Sequence, residues 1–102
     1  IYQLEIKLTT AFQELQADFP IVESFTVLGS MAALRLSGWS NKPAAQKLVD
    51  LLYKNKVLAT SCGRGNRFGV RFYFSFDTTD KQLSSMFTCI RKSIQQYLKR
   101  GA

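Results

Sequence analysis

The sequence predicts an α+β domain: a small, largely antiparallel sheet of three to four strands with three helices packed on one face. Apolar residues recur every three or four positions in three separate stretches, the period of an amphipathic helix. Between these stretches lie shorter runs of strand-like texture, ending in one where apolar and other residues strictly alternate. The resulting order is helix, strand, strand, helix, strand, strand, helix, and helices laid on one sheet face bury all of these stripes together. At 102 residues the chain has the length of one domain, spanning 1–102. Its start, IYQLEIKLTT, has no initiator Met and no signal-peptide layout, so the expectation is a domain excised from a longer protein.

The first helix carries Ile1, Leu4, Leu8, Phe12, Leu15 and Phe19 on one face and stops before Pro20. From Ile21 to Leu36, Phe25, Val27, Met31, Ala33, Leu34 and Leu36 suggest two strands broken at Gly29-Ser30. Asn41 stands where an N-cap belongs and Pro43 in the first turn of the second helix, where a missing N–H costs nothing. That helix buries Ala44, Leu48, Leu51 and Leu52 and turns Lys42, Lys47, Lys54 and Lys56 to solvent. Val57 to Thr60 predicts a short strand, Ser61 to Gly69 a glycine-rich loop, and Val70 to Phe76 a strand whose phenylalanines face the core. Thr79 and Gln82 have the spacing of a capping box. The last helix would then bury Leu83, Met86, Phe87, Ile90, Ile94 and Leu98.

Composition excludes several chemistries. The chain contains no histidine, which removes the commonest general base and every Ser/His or Cys/His nucleophile pair. Cys62 and Cys89 are too far apart in sequence for a local metal chelate and suggest free thiols in a reducing, cytoplasmic setting. No apolar run approaches the ~20 residues of a membrane span. No catalytic residue set is complete. Net charge is +7, which favours anionic partners, although a solvated basic surface explains it as well.

One stretch has a chemical character. In SCGRGNRFGVRF, Arg64, Arg67 and Arg71 alternate with glycines that let a ligand approach the backbone, and guanidinium groups pair bidentately with carboxylate or phosphate. It is not a P-loop, because the Lys-Ser/Thr pair is absent and a strand follows. The alternatives are a turn whose arginines face water and a grip for a nucleotide, nucleic acid or acidic protein. Trp39, Phe68, Phe72, Tyr73, Phe74 and Phe76 could then stack on bases, but their alternation along the strand also suits a core.

From Tyr2 to Leu98 the chain resembles the C-terminal small domain of class III aminotransferases, pyridoxal-phosphate enzymes of fold type I. The resemblance runs through Asp18-Phe19-Pro20 before a strand, then Gly29 and Met31 in VLGSMAALRL. It continues through NKPAAQKLVDLLYKNKVLATSCGRGNRFGVRF to the closing helix of DTTDKQLSSMFTCIRKSIQQYL. It implies that Arg71, at the head of the family's arginine-bearing strand, anchors a substrate carboxylate. It also implies that pyridoxal phosphate, its lysine and its phosphate-binding loop belong to a large domain of the same protein, which could be a homodimer. Phe72-Tyr73-Phe74-Ser75 replaces the small residues and Pro-Pro turn usual after this arginine, and Thr26-Val27 replaces an Arg-Gly before the hairpin glycine.

Overall fold

A computed structural model describes residues 2–39, 42–64 and 67–100. Helix α1 spans Tyr2–Asp18, strand β1 Val22–Leu28, β2 Met31–Leu36, helix α2 Lys42–Lys54, β3 Thr60–Arg64, β4 Arg67–Tyr73 and helix α3 Asp80–Lys99. The strands form one antiparallel sheet in the order β1-β2-β4-β3. The α+β architecture expected from the sequence is the one observed.

Strand alternation divides the sheet into two unlike faces. Val22, Ala32, Leu34, Leu36, Val70 and Phe72 are buried and join the core residues of all three helices in one cluster. Phe12 of α1 sits at the centre of that cluster. Its ring lies 5.8 Å from Phe25, 5.9 Å from Phe72 and 5.0 Å from Phe87, tying α1 and α3 to the sheet. The opposite face, which carries Thr26, Leu28, Met31, Ala33, Arg35, Gly69, Arg71 and Tyr73, has no helix over it.

Local chemistry fixes the element ends. The β1–β2 turn is held to α1, where the Gly29 amide donates to Glu5 at 2.7 Å. Lys56 takes φ +68° just after α2, a left-handed helix stop. Asn55 Nδ2 donates to Ser93 Oγ at 2.9 Å and Gln96 Oε1 at 3.0 Å, which locks that stop onto α3. The capping box expected at Thr79 is present, with Thr79 and Gln82 bonding reciprocally.

Several expectations need correction. Val57 to Ala59 is not a strand; Val57 is buried, Leu58 is exposed, and the segment links α2 to the sheet. The glycine-rich stretch is instead a hairpin, β3 and β4, because an edge strand pairs on one side only and tolerates residues without side chains. A Cβ at Gly63 would lie 2.1 Å from the Arg67 carbonyl oxygen, so this close approach requires glycine. Strand β4 ends at Tyr73, and Phe76 beyond it is 62% exposed, outside the core that the alternation had assigned it. On α3, Tyr97 is buried where Leu98 was expected, and Leu98 is 42% exposed. Pro43 stands in the first turn of α2 as expected, while Ile1 and the Asn41 N-cap lie outside the described residues.

Candidate functional site

The candidate site lies on the helix-free face of the sheet. Arg71 occupies its middle: β4 is an inner strand, and Arg71 is in register with Ala33 on one side and Thr60 on the other. Small neighbours leave the guanidinium accessible while its stem lies against the sheet, and the residue is half-buried. Its Nε is buried and has no hydrogen-bond partner. A charged N–H in that state is costly until an acceptor arrives.

Tyr73, two residues on, stands on the same face as Arg71. Chiefly the neighbouring Tyr73 phenol, and to a smaller extent Cys62, raise the Arg71 pKa above the ordinary arginine value. The Nε edge of the guanidinium is left for an incoming oxyanion. One fork edge can bind a carboxylate through two parallel hydrogen bonds.

The other two candidate arginines sit toward the hairpin end. Arg64 and Arg67 are register partners. Arg67 is exposed and shares the open face with Arg71, about 13 Å along the strand. Arg67 lines a shallow trough of about 170 Å³ over Gly69, together with Ser24, Thr26, Ala33, Arg35 and Cys62. Arg71 is not among the residues lining that trough, so Arg67 and Arg71 do not share one concavity. A Cβ at Gly69 would lie 2.7 Å from the Leu34 carbonyl oxygen, so backbone packing already accounts for this glycine.

Sequence reasoning missed two partners on this face. Glu23 pairs with Arg35 across the β1–β2 hairpin, and Arg35 also donates to the Trp39 carbonyl at 2.6 Å. The cross-strand register would have revealed the pair, but it depends on a bulge between Val22 and Ser24. Tyr73 was grouped with stacking aromatics, although a spacing of two along a strand places it beside Arg71. Trp39, Phe72 and Phe74 are buried core residues.

Every lysine lies on a helix or on the turn after α2, and none lies on the open face. Among the described residues no cluster of three Cys, Asp or Glu could hold a metal ion, and no helix is long and apolar enough to cross a membrane.

No family model and no curated protein sequence matches the chain. Solved structures do. A pyridoxal-phosphate-bound aminotransferase mutant from Vibrio fluvialis superposes with a TM-score of 0.83 at 15% identity, over 99% of this chain and 23% of that one. N-acetylornithine aminotransferase from Stenotrophomonas maltophilia gives 0.80 at 18% identity, over 97% and 26%. Lysine aminotransferase from M. tuberculosis, in its internal aldimine form, gives 0.76 at 21% identity, over 93% and 21%. The chain thus spans about a quarter of the length of these enzymes or less, and it has the fold of the small domain of class III pyridoxal-phosphate-dependent aminotransferases.

Proposed function

We propose that the chain is the small domain of a class III aminotransferase, or of a degenerate relative, and that Arg71 anchors the carboxylate of its substrate. The observation that carries this reading is the buried, unpartnered Nε of Arg71 at the centre of the helix-free sheet face. The aminotransferase fold supports it.

In this reading a large domain of the same protein packs on the open face and holds the cofactor, since this chain brings no lysine there. When bound in that domain, pyridoxal phosphate supplies an electron sink for chemistry at the substrate amino carbon. This chain contributes binding and orientation. Arg71 pairs with the carboxylate and Tyr73 steadies the guanidinium. The exposed Leu28 and Tyr73, at 67% and 61%, become covered by the large domain and keep water from the ion pair, which strengthens it. The chain has no catalytic residue of its own, and activity requires the large domain in cis. A homodimeric parent fits this arrangement, and the free thiols of Cys62 and Cys89 favour a reducing, cytoplasmic setting.

No observation favours the reading in which Arg64, Arg67 and Arg71 grip a nucleotide, nucleic acid or acidic protein. Three of the aromatics that would stack on bases, Trp39, Phe72 and Phe74, fill the core instead. The visible absorption of the full-length protein mixed with pyridoxal phosphate tests the primary reading. A band from covalently bound cofactor is expected, and its absence would leave at best an inactive relative.

A further inference from the structure

A second concave site lies in the helical layer, away from the open sheet face. A cleft of about 250 Å³ opens between α2 and α3, lined by Lys47, Asp50, Leu51 and Lys54 from α2 and by Tyr97 and Arg100 from the end of α3. Asn55, just after α2, is bonded to Ser93 and Gln96 of α3. Lys47, Asp50 and Lys54 share one face of α2, with the two lysines roughly 10 Å apart over two turns. Arg100 reaches the same cleft from the other side.

The cleft is strongly positive and its floor is fixed. The ion pairs among the described residues are Lys7–Asp80, Arg35–Glu23 and Arg91–Asp18, and none includes Lys47, Lys54 or Arg100. The one carboxylate in the cleft, Asp50, accepts a hydrogen bond from Gln46 at 3.0 Å. The negative pole of a helix C-terminus accounts for Lys54 and Arg100, but Lys47 lies in the middle of α2. Leu51 and Tyr97, 4% and 3% exposed, form the floor. The Tyr97 hydroxyl accepts the Trp39 indole N–H at 2.8 Å. No hydrogen bond among the described residues uses the phenol's own proton, which leaves a buried donor beside three cations.

We propose that this cleft binds a small organic dianion, of phosphomonoester or dicarboxylate type, whose charge meets Lys47, Lys54 and Arg100 and whose apolar body rests on Leu51 and Tyr97. The site is independent of Arg71 and of the reading proposed above. Its size, below the ~300 Å³ at which drug-sized pockets begin, suits a ligand of metabolite size.

The single tryptophan gives a direct readout. Trp39 is the only one in the chain, so its indole N–H yields one cross-peak in a ¹H–¹⁵N spectrum, and that group is bonded to the cleft floor. Titration of the chain with phenyl phosphate at low salt is expected to move this peak saturably, while neutral phenol leaves it in place. A parallel titration with glutarate ranks the two chemistries, and saturation by either supports the site. Lys47 and Arg100 are exposed, so the double variant K47E/R100E keeps its core and is expected to bind at least about tenfold more weakly. Failure of both anions to move the peak, an equal response to phenol, or unchanged affinity in the charge-reversed variant would overturn the proposal.

Discussion

At Arg71 the two-residue repeat of a strand decides what the side chain meets. Val70 and Phe72 point into the core, so Arg71 and Tyr73 point out of it, onto the face without helices. The position of Arg71 was therefore legible from alternation alone, and so in principle was its neighbour Tyr73. The Glu23–Arg35 pair was not, because it depends on a hairpin register that a bulge shifts. Since Arg71 contributes nothing to the core and its buried Nε has no partner, Arg71→Ala is expected to leave the unfolding free energy of the isolated chain unchanged or to raise it by about 1 kcal/mol in urea denaturation. Its raised pKa has a definite sign. The folded state holds the proton more tightly, so the contribution is present throughout neutral pH and is lost only as pH rises beyond the ordinary arginine range. Carboxylate affinity measured from about pH 6 to 9 should accordingly show no decline caused by loss of the Arg71 charge. A fall in affinity across that range would mean that a group titrating there, and not Arg71, is the anchor.

At the scale of elements, helix signals carried further than strand signals. The Thr79 capping box and the Pro20 stop act through neighbours a few residues away, and both were readable. Thr79→Ala is expected to cost about 1 kcal/mol in thermal or chemical unfolding. Strand β3 was misplaced because a glycine-rich edge strand has almost no apolar pattern, and only its pairing with β4 makes it a strand. The apolar Val57 that suggested a strand is buried by the turn after α2 instead. The lock between α2 and α3 runs through Asn55 to Ser93 and Gln96, residues 38 and 41 positions away, beyond the reach of local patterns. Asn55→Ala removes the bonds to Ser93 and Gln96, while Ser93 keeps its bond to the Cys89 carbonyl, and is expected to cost about 1 kcal/mol. A change below about 0.3 kcal/mol would mean that water replaces the bonds without loss.

For the whole molecule, one layer of helices builds the core and leaves one sheet face open. Phe12 joins these parts, touching the rings of Phe25, Phe72 and Phe87, and Phe12→Ala is expected to cost about 3–5 kcal/mol, enough to unfold a marginal domain. The core was readable because it follows from periodicity, and the open face because strand alternation leaves it over. The measurement that tests the proposed role of Arg71 most directly is kcat/KM of the full-length protein and its Arg71→Ala variant, with an amino acid and with an amine lacking a carboxylate. The account predicts a loss of about a hundredfold for the amino acid, carried mainly by KM, and little change for the amine. Equal losses for both substrates, or none for either, would contradict it.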